Sequence, residues 1–130
     1  MAPVPAARAR VTRWSTYFPA RYAKFKETMY RDLIIVRHRE KLTPADGLLY
    51  VKITFWVEMP KSWSKKKRAE LDGKYAANNC DIDNYIKAVL DSCEGFYFEN
   101  DRQVVMICGI KKYAEVGRIE YEQSPIEALS

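Results

Sequence analysis

The residues best able to do chemistry in this chain lie in one short run, Asp81-Ile-Asp-Asn-Tyr-Ile-Lys87-Ala-Val-Leu-Asp91. On a helix, residues four apart are neighbours, so Asp83, Lys87 and Asp91 form a polar stripe. Asp81 cannot join that stripe as a helical residue, because two positions rotate it by about 200°. It can join from an extended lead-in, where residues i and i+2 point the same way. A helix that begins between the two acids therefore aims both carboxylates at one point. That point is the helix end whose dipole favours negative charge. Two converging carboxylates beside a lysine suit magnesium, a hard ion that takes oxygen ligands, keeps several waters and is completed by substrate phosphate. Such an ion polarises a phosphodiester and acidifies a bound water. A lysine beside it neutralises phosphorane charge or orients the water. Asp101 is the candidate third carboxylate: it sits in a polar turn just before a core strand, folding back against the helix start. The same residues admit a purely structural reading. In it Asp81 is an N-cap, and Asp83, Lys87 and Asp91 form an exposed ladder worth roughly a few tenths of a kcal/mol per pair.

These acids need elements to hold them. Tyr22, Phe25, Met29, Leu33 and Val36 recur at spacings of three and four, which predicts an amphipathic helix of about five turns opening near Pro19. Thr43 to Gly47 reads as a turn. Residues 48–58 alternate, with Leu49, Val51, Ile53, Phe55 and Val57 on one face, and Pro60 ends the strand. Ser62 or Ser64 caps a short basic helix from Lys65 to about Leu71, closed by Gly73. The acid-bearing helix has the apolar stripe Ile82, Tyr85, Ile86, Val89, Leu90 and Cys93, and Gly95 stops it. Val104 to Ile110 reads as a buried strand, with Arg118 to Glu122 as its hairpin partner. The expected fold class is α+β, one small domain of mixed β-sheet packed with helices. Residues 1–17 form a basic extended arm and 81–101 the catalytic core segment.

Composition narrows the function. The 130 residues carry 22 Lys+Arg, 17 Asp+Glu and one His, a net charge of +5, and 48% are hydrophobic. That is enough apolar material for a core. No apolar run approaches the roughly 20 residues of a membrane helix, and the N-terminus lacks a secretory signal, so no membrane is expected as a partner. Cys80, Cys93 and Cys108 form no CxxC, which argues against a zinc cage or disulfide framework and for a reducing compartment. The single His38 reads as a surface residue at a helix end and leaves little room for histidine catalysis. Charge is segregated: residues 1–41 carry a net +7, residues 42–80 a net +3 and residues 81–130 a net −5. A basic first half with an acidic second half suits a polyanion-binding surface around a cation site. Trp14, Tyr17 and Trp63 are candidates either for stacking on exposed bases or for packing. Cys80, beside the acids, reads as incidental, because a thiol is a poor magnesium ligand.

The order of parts carries a resemblance. Met59-Pro-Lys-Ser-Trp-Ser-Lys-Lys-Lys-Arg68, then the Asp81–Asp91 block, then Asn100-Asp-Arg-Gln-Val-Val105 resembles the RusA family of Holliday junction resolvases. The opening Pro3-Val-Pro-Ala-Ala-Arg-Ala-Arg-Val-Thr-Arg13 and Tyr17-Phe-Pro look like that family's start, although the family usually places a strand before them. The resemblance implies a homodimeric, magnesium-dependent endonuclease, with manganese as the alternative ion and no small-molecule cofactor. It would cut four-way DNA junctions by paired symmetric nicks in the cytoplasm of a bacterial or phage-infected cell. It implies Asp81, Asp83 and Asp101 as metal-binding acids, Lys87 as catalytic lysine, and Asp91 and Asn100 in support. Asn100 stands where the family commonly has a second Asp. Arg8, Arg10, Arg13, Lys61, Lys65, Lys66, Lys67 and Arg68 match its DNA-facing segments. Two alternatives are a weak or inactive relative that binds branched DNA without cutting it, and a nuclease for flaps or single strands.

Overall fold

The computed structural model describes residues 10–11, 16–17 and 20–129, with side chains from residue 27 onward. Two short strands, β1 (Arg10–Val11) and β2 (Thr16–Tyr17), pair antiparallel. Helix α1 (Ala20–Glu40) follows. The three-four spacing buries Met29 and Leu33 and half-buries Val36; His38 is exposed in the last turn, and the side chains of Tyr22 and Phe25 lie outside the described residues. Strand β3 (Leu49–Glu58) comes next, with Leu49, Val51, Ile53 and Phe55 fully buried. The basic helix α2 (Lys65–Leu71) has Ser64 as its cap, whose Oγ accepts from Lys67 N at 3.2 Å. Helix α3 (Ile82–Cys93) carries the acids. Gly95, at φ 87, takes the left-handed turn that ends it, and its N–H donates to Phe98 O at 2.7 Å. Strands β4 (Val104–Ala114) and β5 (Arg118–Pro125) complete the sheet.

The sheet order is β4-β3-β5, with β4 parallel and β5 antiparallel to the central strand. A parallel neighbour needs a long crossover, and the segment holding α2 and α3 supplies it. The expected hairpin of Val104–Ile110 with Arg118–Glu122 does not form. Residues 115–117 carry the chain across the end of β3, so Ala114 lies beside Glu58 while Arg118 lies beside Trp56 on the other edge. Alternation marks a strand but not its neighbour. Here β3, with one face wholly buried, takes a partner on each side. The strand at 104–110 is also longer than expected and is an edge strand, with Val105, Met106 and Ile107 exposed by 53%, 50% and 39%.

Helices α1 and α3 pack on the buried face of β3, and Phe55 stacks on Tyr85 of α3 at 5.2 Å between ring centroids. Cys93 lies in this core, and burial pushes its thiol up to about 12. Along the outer edge of β4 the covering is partial. The segment at Gly73–Ala76 bonds to it through Gly73 N to Tyr113 O, Tyr113 N to Lys74 O and Ala76 N to Lys111 O, each 2.9 Å. From Val104 to Gly109 that edge has no strand partner among the described residues.

Candidate active site

Asp81 occupies the N-cap position of α3 in extended geometry, φ −70 and ψ 139, and Asp83 lies in the first turn. The helix start therefore falls between the two acids, and both line one open cleft of about 560 Å³ with Tyr75, Ala76, Ile82, Gly109, Ile110 and Lys111. Among the described residues, neither carboxylate has a hydrogen-bond or ion-pair partner. Asp81 makes no capping hydrogen bond, and no ion pair joins Asp83 to Lys87 among the described residues. Among the described residues neither the Asp81 cap nor an Asp83–Lys87 pair is formed, so both carboxylates keep lone pairs for an outside ligand. Lys87 is exposed one turn beyond Asp83; Asp91, a turn further, is half-buried and engaged.

Two features of the sheet fix where α3 begins. Gly109 is one: a Cβ there would meet Ile86 Cδ1 at 2.7 Å and Ile82 Cδ1 at 3.2 Å, so its missing side chain lets α3 lie close on β4. Lys111 is the other. Its Nζ donates to Cys80 O at 2.7 Å and to Asn78 Oδ1 at 3.0 Å, and Asn78 Nδ2 donates to Tyr85 Oη at 2.9 Å. The lead-in to Asp81 is thus tied to β4 on one side and to α3 on the other. The sequence reading passed over Lys111, Asn78 and Gly109. Its available signal was Lys111-Lys112: two consecutive lysines in a strand cannot share a face, so one must point toward the helices.

Asp101 is elsewhere. It opens a 3₁₀ turn, Asp101–Gln103, at the start of β4. Asn100 Oδ1 accepts from Arg102 N at 2.9 Å and Arg102 Nε at 3.1 Å; Gln103 Nε2 donates to Ala45 O at 2.8 Å and Gly47 O at 3.0 Å. The turn is thereby stapled to the loop that precedes β3, with Asp101 exposed. Val104 pairs with Leu49 and Lys111 with Phe55, so the start of β4 and the Lys111 wall of the acid cleft are about 23 Å apart. The expected fold-back of Asp101 onto the helix start does not occur within one chain. The reason is mechanical: the 12 residues of α3 carry the chain about 18 Å away from the helix start before it turns back. Among the described residues, no three His, Cys, Asp or Glu side chains are gathered as a metal cage.

Of the basic residues, Lys61, Lys65, Lys66 and Lys67 are exposed. Lysines in the first turn of α2 oppose the helix dipole, so helix stability does not account for them. Arg68 is committed internally, donating to Pro60 O at 2.8 Å and pairing with Glu115 at 3.1 Å. Trp63 packs edge-on against Tyr113 at 5.1 Å with Lys67 Nζ 4.3 Å from its ring centroid. Arg8, Arg13 and Trp14 lie outside the described residues, as do the side chains of Arg10 and Tyr17.

An α+β protein that presents, among its described residues, an acid pair without internal partners in an open cleft, with Lys111 on its wall and Lys87 one turn beyond, has the makings of a phosphodiester-cleaving site. The sequence matches the endodeoxyribonuclease RusA family over residues 1–122, and the chain belongs to that family of nucleases. It is also 33% identical over 106 residues to an uncharacterized protein, YqaN, of Bacillus subtilis (strain 168), a match covering 78% of this chain and 72% of that one.

Proposed function

We propose that this chain is a divalent-metal-dependent endonuclease that resolves four-way DNA junctions by paired nicks, acting as a homodimer in the cytoplasm of a bacterial or phage-infected cell. The observation that carries this reading is the pair of unused carboxylates, Asp81 and Asp83, in one cleft beside β4. Oxygen donors of this kind fit magnesium or manganese, and one chain supplies two of them. Such an ion, when bound, supplies Lewis-acid activation of phosphate and water. The protein's own part is to hold that acid pair, to place Lys87 where it offsets phosphorane charge, and to grip the backbone with Lys61 and Lys65 to Lys67.

The third acid enters through the dimer. Among the described residues, the stretch Val104–Gly109 is an edge without a strand partner. Antiparallel pairing of two copies about its centre sets Val104 against the partner's Gly109. It carries Asp101 of each chain alongside the partner's Lys111 and Lys112, next to the acid pair. A two-fold dimer then presents two complete sites to a junction of matching symmetry.

The test is cleavage of a labelled synthetic four-way junction, in magnesium and in EDTA, by the parent and by Asp83→Asn. Symmetric magnesium-dependent nicks that vanish in the variant while junction binding survives are expected. Binding without product by a folded parent dimer would replace this reading with a branched-DNA-binding protein. Faster cutting of a flap than of the junction would replace it with a flap nuclease.

A further inference from the structure

Among the described residues, Lys111 is the one cation on the wall of the acid cleft, and it reaches the loop that leads into the acids rather than the acids themselves. We infer that Lys111, working through Asn78, is the positioning residue of the Asp81–Asp83 pair; the inference rests on the nuclease reading above. Three observations converge on it.

Asp81 is an N-cap aspartate whose carboxylate does not cap. That arrangement gives up a capping hydrogen bond, so something else must hold the backbone before it in the extended form. Lys111 Nζ donates to the carbonyl of Cys80, the residue immediately before Asp81, at 2.7 Å. The second acceptor, Asn78 Oδ1 at 3.0 Å, belongs to the same loop, and its amide goes on to Tyr85 Oη, which is buried in α3 and stacked on Phe55 of the central strand. The loop is therefore fixed at residues 78 and 80 to two rigid elements, and Asp81 is the next residue out. An ammonium suits this post: its three N–H groups are donors only, two are used, and it has no acceptor to compete with the carboxylates.

Groups that orient metal-binding side chains from behind are typically worth 10–100-fold in metal affinity or activity. Lys111→Met keeps the stem and removes the donors. Asn78→Ala, in a loop, removes one acceptor and the link to Tyr85 with little risk to the fold. The first readout is Mn²⁺ binding by the full-length protein, followed by electron paramagnetic resonance of free ion, which needs no turnover. The second is the magnesium concentration giving half-maximal junction cleavage. Each variant should bind Mn²⁺ at least tenfold more weakly and shift the magnesium midpoint up by a similar factor. Most of the rate should return at saturating magnesium, and the double variant should be little worse than Lys111→Met alone, because both break one chain of bonds. A thermal melt checks that each variant is folded.

Mn²⁺ binding within twofold of the parent in either folded variant overturns the inference while leaving the nuclease reading intact. A midpoint that stays put while the maximal rate collapses also overturns it, since Lys111 would then be acting on the substrate. Should the parent bind no Mn²⁺ and cut nothing, the underlying reading falls and takes this inference with it.

Discussion

Gly109 joins the fold to the chemistry, and substitution there has a calculable outcome. A methyl at this position would stand 2.7 Å from Ile86 Cδ1 and 3.2 Å from both Ile86 Cγ1 and Ile82 Cδ1. Carbon atoms rest about 3.5–4.0 Å apart, so Ile86 must yield by about 1 Å. The nearest atom is the end of a half-buried side chain, and swinging it off its rotamer costs about 0.5–1.5 kcal/mol. Gly109 is not held at a left-handed φ, so alanine regains about 0.4–1 kcal/mol from the narrower unfolded state. Gly109→Ala should therefore be close to neutral, within about 1 kcal/mol. Gly109→Val adds two γ-carbons against the same isoleucines. Overpacking of that kind costs about 1–3 kcal/mol, and about 2 kcal/mol here corresponds to roughly 6–10 °C in Tm. Activity should separate from stability. The new methyl also meets Ile82 Cδ1 in the first turn of α3 at 3.2 Å, so whatever share of the roughly 1 Å the Ile86 tip does not absorb displaces Asp83, and a misplacement of about 1 Å can cost about 100-fold in rate. Gly109→Ala should thus fold nearly as well as the parent yet cut junctions at least tenfold more slowly. Ile86→Val, which deletes the atom at 2.7 Å, should recover activity in the alanine background. The assays are thermal denaturation and single-turnover junction cleavage on the four members of that cycle. A Gly109→Val protein as stable and as active as the parent would refute the close seating of α3 on β4. So would a double variant no better than Gly109→Ala.

Two further outcomes can be stated briefly. Met106→Lys together with Ile107→Lys places charge on the open β4 edge, and the protein should sediment as a folded monomer without cleavage; a dimer that still cuts would remove β4 from the interface. Cys93 gives a pH prediction. Its thiol is raised from 9.0 to about 12 by burial, so the stability it contributes is complete below about pH 9 and declines as pH rises toward 12. Urea midpoints measured across that range should fall more gently in Cys93→Ala, which keeps the part of the slope due to Tyr97 and Tyr121, both also raised chiefly by burial; parallel slopes would rule Cys93 out.

What was legible in the sequence was what local spacing encodes. The alternation of Leu49 to Phe55 and the stripe from Ile82 to Cys93 each name an element and the face it buries. Asp81 and Asp83 could be read as convergent because a helix boundary between them is a local event. The position of Asp101 could not be read that way. It depends on the direction in which α3 crosses the sheet, which is a matter of packing, and nothing in Asn100-Asp-Arg-Gln-Val says which end of the sheet the turn occupies. The order β4-β3-β5 was hidden for a similar reason, since a three-residue connection looks like a hairpin turn whether it joins neighbours or crosses a strand. Lys111 was obscured by its company: beside Lys112 and within a basic protein it passes for surface charge, and only its bonds to Cys80 and Asn78 give it away.

Strand β4 carries three separate demands along its length. Its first residues follow a stapled turn that exposes Asp101, its middle exposes Val105, Met106 and Ile107 along an uncovered edge, and its far end seats α3 on Gly109 and tethers the acid loop through Lys111. An apolar open edge is ordinarily a hazard that proteins shorten, charge or cover. Among the described residues, this one is covered at its far end alone, by Gly73–Ala76. The part left open is the part about which a two-fold axis would exchange the ends of β4. Under the proposed dimer, the edge and the separated acids have one explanation. Under that dimer each site would add a third carboxylate from the partner to the two that a single chain holds, and so bind the ion more tightly than one chain does. Metal affinity would then rise with protein concentration, so the nuclease would be inactive as a monomer and competent only when two sites stand ready to cut together.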